Sequence, residues 1–188
     1  FTTDVLFFEI VAGLSAEFSR RGMQFVLHVA EADEDIIAVY QKLAGIGALD
    51  GFVITKPMVD DPRIAYLANR KIPFVVHGRM PSHVHYPHFD IDNEHVTDDA
   101  VSRLVALGHR RIALINGEAT FTYALARLKG MRTALSRAGI AFDEALVRSG
   151  QMTEELGYQT TLDMMALSDP PTAFYCSNVL IAAGVYRA

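Results

Sequence analysis

The chain has 188 residues, of which 51% are apolar and 21% charged, a balance that suits one large or two small folded domains and excludes intrinsic disorder. Its net charge of −5 excludes a surface built to grip a nucleic-acid backbone, which needs clustered Lys and Arg. One cysteine, Cys176, excludes an internal disulfide, and no apolar run approaches the roughly 20 residues that span a bilayer.

Helix-like and strand-like patterns alternate along the whole chain. Apolar residues from Phe7 to Phe18 recur at helical spacing, Gly22 marks the helix end, and the apolar run 25–29 predicts a buried strand. Further helices are predicted within 36–43, 61–68, 96–105, 125–135, 153–165 and 178–188. Further strands are predicted at 51–54, 73–76, 112–115 and 172–175.

Short, continuous apolar strands separated by helices indicate an α/β fold with parallel sheets flanked by helices. An irregular, Pro- and His-rich stretch at 80–88 interrupts the alternation, which then resumes. We therefore predict two lobes, an N-terminal one at 1–91 and a C-terminal one at 92–188. Because no strand precedes the first helix and none follows the last, we expect the fold to be truncated at both ends.

Ligands of open parallel sheets bind beyond the carboxyl ends of the strands, so the residues after each predicted strand are the candidates. These residues are Glu31, Asp33, Thr55, Lys56, His77, Arg79, Asn116, Ser177 and Asn178. Such side chains suit a neutral, polyhydroxylated ligand better than a phosphate, which needs a glycine-rich cradle. No spacing typical of hydrolases, zinc proteases or P-loop proteins occurs, and we expect neither a cofactor nor an enzyme.

Three closely spaced histidines, His83, His85 and His88, raise the question of a metal site. In an extended segment His83 and His85 face one way and His88 the other. Pro81 and Pro87 interrupt the same stretch, which favours a polar connector, and we expect no metal.

The segment 107–113, "LGHRRIA", closely resembles a segment of LacI-type transcription repressors. Further pieces stand in that family's order: Asp92-Asn93-Glu94, Arg127 with Gly130 and Ala134-Leu135, Gly157-Tyr158, Pro170-Pro171-Thr172-Ala173, and Phe7-Phe8-Glu9 with Gly13-Leu14. The resemblance implies a periplasmic-binding-protein-like effector domain that works as a cytoplasmic homodimer. It also implies a sugar effector, and operator DNA bound by an N-terminal helix-turn-helix headpiece outside the present sequence. The His77-Gly78-Arg79 triplet resembles regulators of α-glucoside and related sugar uptake.

The same resemblance implies a set of effector contacts. Arg127 matches an arginine that binds effector oxygens, and Asn178 a polar contact that could equally cap a helix. His77 and Arg79 follow a strand, and Asp92 lies at the lobe crossover, where helix capping would also explain it. Three further candidates are apolar, and core packing is the alternative for each: Phe7, Ile10 and Met152. Val179 departs from the family pattern, which has aspartate after the asparagine.

Two other classes of function stay open at this point. A periplasmic sugar-binding protein of a transporter shares the fold, but the missing leader and the "LGHRRIA" segment favour a regulator. A sugar-converting enzyme would use Asp92, His77 or Glu94 as acid or base, but no paired carboxylates stand at a motif spacing.

Overall fold

The computed structural model of the chain describes residues 5–29, 34–47, 49–79 and 85–188. Internal contacts divide it into two units, Phe1–Lys42 and Leu43–Ala188. This division does not test the lobe boundary expected between residues 91 and 92, which stays a prediction. Within the described ranges, no helix is both long and apolar enough to cross a membrane.

The predicted helices are present. They are α1 (Val5–Arg20), α2 (Ile36–Gly45), α3 (Pro62–Asn69), α4 (Asn93–Ala106), α5 (Thr122–Arg137), α6 (Glu154–Met165) and α7 (Val179–Arg187). The strands are β1 (Phe52–Thr55), β2 (Phe74–His77), β3 (His88–Phe89), β4 (Ile112–Asn116), β5 (Val147–Ser149) and β6 (Ala173–Cys176). A short 3₁₀ helix, Glu144–Leu146, leads into β5.

The strands form two parallel sheets, in the orders β1-β2-β3 and β5-β4-β6. In the first sheet Phe52 lies opposite Phe74, and in the second Leu114 lies between Val147 and Tyr175. The prediction of parallel sheets with helices is therefore confirmed. The sequence did not predict β3 or β5, because two or three largely exposed residues at a sheet edge carry no apolar run.

The prediction of a buried strand at 25–29 is wrong. This segment has no regular structure, and Val26, Leu27 and Val29 are 62%, 46% and 57% exposed. A strand exists only where its backbone N–H and C=O groups meet a partner strand, and none of the described strands pairs with this segment. The apolar run at 25–29 therefore has the propensity to form a strand, but it has no partner strand among the described strands.

A hydrophobic core cluster of the second unit lies between β4 and helices α4 and α5. All five residues of β4 are buried, and Leu114 packs with Val101 from α4 and Met131 from α5. The two helices approach closely at Gly130, where a Cβ would overlap the backbone carbonyl of Glu94. This packing fixes α5, and with it the side chains that α5 presents at the carboxyl end of the sheet.

The "LGHRRIA" segment holds the opposite, amino-terminal end of β4. His109 Nδ1 lies 2.9 Å from Thr172 Oγ1. Arg111 pairs with Asp143 at 3.1 Å and with Asp169 at 3.0 Å. These contacts give the motif a structural role away from the carboxyl ends of the strands.

Candidate ligand-binding site

Asn116, at the carboxyl end of β4, ties together the elements around the site. Its buried side chain donates from Nδ2 to the carbonyl of Ala124 at 2.8 Å. Its Oδ1 accepts from the Gly117 N–H at 2.9 Å and from Ser177 Oγ at 2.7 Å. A buried amide with these partners locks the start of α5 and the end of β6 to β4.

Arg127 lies on α5 and is half-buried. Its Nε donates to Asn93 Oδ1 at 2.9 Å, and its Nη1 donates to the carbonyl of Ser177 at 2.8 Å. These two bonds fix the plane of the guanidinium. Within the described residues Nη2 has no hydrogen-bond partner, so this edge of the fork is left to donate to another group.

Asn93 is a site residue that the sequence argument missed. It is 5% exposed, and its Nδ2 donates to Asp90 Oδ1 at 3.2 Å and to the Ile91 carbonyl at 3.1 Å. Its position in the Asp92-Asn93-Glu94 motif was the available signal, but the motif by itself does not distinguish Asn93 from the capping residue Asp92. Asp92 caps α4 by accepting from the His95 N–H at 3.0 Å, so the capping explanation of Asp92 holds.

Tyr123 is a second missed residue, one helical turn before Arg127. The Arg127 guanidinium carbon lies 5.3 Å from the centre of the Tyr123 ring. The ring of Phe121 stacks on the same Tyr123 ring, with the two ring centres 5.8 Å apart. Burial and the charge of Glu118 raise the pKa of Tyr123, although the positive charge of Arg127 opposes them. The phenol is therefore neutral at physiological pH, and its hydroxyl can both donate and accept.

Asn178 and Met152 lie beside this group. Asn178 caps α7 by accepting from the Ile181 N–H at 2.9 Å, and its Nδ2 donates to the Met152 carbonyl at 3.2 Å. The Tyr123 hydroxyl lies 3.8 Å from Met152 Sδ. The structure thus brings three predicted site residues, Arg127, Asn178 and Met152, to the carboxyl ends of β4 and β6. Their contact with a ligand stays a prediction.

A cleft of about 330 Å³ opens near the end of the first sheet. It is lined by Arg79, His88, Phe89, Asp90, Ile91 and Asp92. His77 stacks on Phe89, with ring centres 4.7 Å apart and planes 6° from parallel. Arg79 and Asp92 therefore share one cleft, and His77 is in contact with its lining. Carboxylates, a guanidinium and an aromatic ring together offer hydrogen bonds and an apolar face, as a sugar requires.

The other candidates have separate positions. Phe7 and Ile10 lie half-buried on α1, and their role as site walls stays a prediction. Glu31, Asp33 and His83 lie outside the described residues. The carbonyls of Thr55 and Lys56 accept from Arg63 at 3.3 and 3.1 Å. No group of three or more His, Cys, Asp or Glu that could hold a metal occurs in the part of the chain that the structure describes.

The residues considered for acid–base chemistry have structural partners. Glu94 pairs with Lys129 at 2.8 Å, Asp92 caps α4, and His77 stacks on Phe89.

Cys176 ends β6 directly before Ser177 and supports a simple prediction. Burial raises the pKa of its thiol to about 11, well above the usual value near 8.5. Since only the thiolate attacks, we expect iodoacetamide at pH 8 to alkylate Cys176 roughly 100-fold more slowly than N-acetylcysteine. The rate should keep rising with pH beyond pH 10. Mass spectrometry of the intact chain gives the rate at Cys176, and mass spectrometry of N-acetylcysteine in a parallel reaction gives the reference rate. Equal rates at pH 8 would contradict this burial effect.

Comparison with known proteins identifies the family of the chain. A profile of the family described as "Periplasmic binding proteins and sugar binding domain of LacI family" matches residues 2–188. The chain belongs to this family. The resemblance to LacI-type regulators that the sequence motifs gave is therefore confirmed.

Individual members of the family are also similar to the chain. The HTH-type transcriptional regulator AglR of Rhizobium meliloti is 41% identical over 99% of this chain and 52% of its own length. A LacI regulator structure from Bacillus cereus subsp. cytotoxis has a TM-score of 0.91, with 28% identity over 97% of this chain and 65% of that one. The CelR–cellobiose complex has a TM-score of 0.79, with 32% identity over 95% of this chain and 55% of that one. The chain spans about half the length of the curated relatives it matches.

Proposed function

We propose that the chain is the effector-binding domain of a sugar-responsive LacI-type transcription regulator. The observation that carries the proposal is the arrangement of Arg127, held by Asn93 and the Ser177 carbonyl with one edge of its fork left to donate. A guanidinium fixed in this way is suited to two neighbouring oxygens, such as vicinal hydroxyls. The ring of Tyr123 adds an aromatic surface beside it.

The sugar class is supported by the family and by one relative. The family description includes a sugar-binding domain, and CelR has been solved with cellobiose. The candidate contacts to the effector are Arg127, Asn178, His77, Arg79 and Asp92, with Phe7, Ile10 and Met152 as apolar walls. No cofactor or metal takes part in this proposal, and no bond is broken.

The proposed mechanism is a shift between two conformations. An effector that binds one arrangement of the domain more tightly shifts the population toward it. In a homodimer this shift changes the spacing of two DNA-binding segments, and the two binding free energies are coupled reciprocally. In this proposal the DNA contact belongs to a helix-turn-helix segment outside residues 1–188, and the names of the HTH-type relatives support such a segment and, with it, a cytoplasmic protein.

The relatives favour this proposal over the other two classes. AglR, RafR and CelR are named as transcriptional regulators, which argues against a transporter's binding protein and against an enzyme.

Calorimetric titration of the full-length protein with a panel of mono- and disaccharides tests the proposal. We expect one sugar, or a small related group, to bind, and its binding to change the affinity for DNA from the protein's own upstream region. Fluorescence anisotropy of a labelled fragment measures the second effect. If no sugar bound and another metabolite did, the family would stand and the sugar class would be wrong.

A further inference from the structure

Helix α5, which carries Tyr123 and Arg127, has no side-chain cap of its own. Phe121 occupies the capping position, and its side chain has no group that could accept from the first helical N–H groups. The carbonyl of Pro57 takes this place, accepting from the Thr122 N–H at 3.0 Å and from Thr122 Oγ1 at 3.2 Å. The cap therefore comes from a loop that follows β1 in the other sheet.

The loop of residues 56–59 makes further contacts with the same helix start. Met58 forms an antiparallel bridge with Phe121, and the Val59 N–H donates to the Thr120 carbonyl at 3.4 Å. On its other side Pro57 lies against Gly78, where a Cβ would overlap the proline ring. The loop thus contacts both the start of α5 and the segment that carries His77 and Arg79.

A buried ion pair holds this loop in shape. Asp61 Oδ2 accepts from the Met58 N–H at 3.0 Å and from Arg63 Nη2 at 2.6 Å. The same Arg63 Nη2 donates to the carbonyls of Thr55 and Lys56. The Asp61 side chain is fully buried and that of Arg63 is 15% exposed. Charge-assisted hydrogen bonds with so little solvent are strong and directional.

The Lys56 and Asp60 backbones require such support, because both adopt a left-handed conformation that L-residues disfavour.

Burial by itself raises the pKa of Asp61. The hydrogen bonds from Arg63 and Met58 and the charge of Arg63 outweigh that effect, so the pKa lies below its usual value. Asp61 is thus a charged, buried anchor under the loop.

We propose that Asp61 is a positioning residue for the candidate ligand site, because through the loop 56–59 it caps α5 and links the two sheets. The proposal rests on the proposed function only in taking Arg127 and Tyr123 as ligand contacts. A ligand that binds either side chain and displaces it also displaces the start of α5. Through the contacts of Pro57 with Thr122 and Gly78, this displacement reaches the segment that carries His77 and Arg79. Asp61 itself touches no ligand.

Hydrogen–deuterium exchange of the ligand-free, full-length protein tests the link. Asp61→Asn keeps the shape of the side chain but removes its charge and one acceptor. We expect exchange to rise roughly tenfold in peptides covering 55–62 and also in peptides covering 118–125, which lie some 60 residues away. Asp143→Asn is the matched control, because Asp143 also caps a short helix and pairs with an arginine, Arg111. It should leave both peptides unchanged.

Exchange that rises only in 55–62, or in neither peptide, would overturn the proposal, since Asp61 would then serve its own helix alone. If Asp61→Asn does not fold, Thr122→Val decides. It removes the hydroxyl that donates to Pro57 and keeps the branched shape, and we expect roughly fivefold faster exchange in 55–62. No change there would equally overturn the link. Because no ligand is needed, failure of the sugar titration leaves these results interpretable.

Discussion

Replacing Arg127 with alanine is expected to weaken the binding of the sugar identified by titration roughly 100-fold, because charge-assisted hydrogen bonds to the ligand are lost. The change also leaves Asn93 Oδ1 and the Ser177 carbonyl without their donor. Arg127→Lys keeps the charge but not the rigid fork, and most of the affinity should still be lost. Calorimetry measures both, and thermal unfolding of each variant separates binding from folding.

Arg132→Ala is the matched control for this prediction. Arg132 lies on the same helix, is exposed, pairs with Glu144 at 2.8 Å and lies over the ring of Phe142. Its removal should leave sugar affinity within about twofold, since an exposed ion pair contributes little. If both variants bound sugar like the natural protein, the proposed ligand role of Arg127 would be wrong.

Replacing Gly184 with alanine is expected to lower the free energy of unfolding by about 3 kcal/mol. A Cβ at Gly184 in α7 would overlap the backbone carbonyl of Glu154 and lie 2.7 Å from the Tyr158 nitrogen, both in α6. The same close approach is seen from the other helix, since a Cβ at Gly157 in α6 would overlap the backbone carbonyl of Ile181 in α7. Backbone atoms cannot rotate away as a side chain can, so the two helices would have to separate.

Thermal unfolding checks this packing argument, and we expect Gly184→Ala to lower Tm by roughly 10 °C. Gly13→Ala is the control, since Gly13 is exposed in the middle of α1 and a Cβ there would meet nothing within 4 Å. That change should be neutral or stabilise by up to about 1 kcal/mol, because alanine favours the helix. Equal changes in Tm in the two variants would show that the close approach of α6 and α7 at Gly184 does not set the effect.

Because Asn178 caps the start of α7, a displacement of this helix affects the candidate site as well. The Asn178 side chain joins the start of α7 to the Met152 carbonyl, before α6. A shift of α7 against α6 is therefore expected to disturb the contact between Asn178 and Met152 in the candidate site.

The alternation of helices and strands was predictable because it depends on the spacing of apolar residues that are close in the sequence. A helix stripe repeats every three to four residues and a buried strand is a short apolar run, so both are visible within a few residues of sequence. The cap at Asn178 was equally local, since its side chain accepts from an N–H three residues ahead. The polar ends of β4 and β6, at Asn116 and Ser177, followed from the geometry of parallel sheets.

The tertiary structure decided what depends on distant partners. The run 25–29 has the composition of a strand, but pairing, not composition, makes one. Asn93 reaches Arg127 across 34 positions, and Thr122 reaches Pro57 across 65. No spacing rule encodes such contacts, because they arise only when packing brings separate elements within hydrogen-bond distance. The sequence by itself thus determined the helices, four of the six described strands and the family, and it predicted the arginine of the candidate site. The fold decided that a buried asparagine and the loop of another sheet hold that arginine's helix in place.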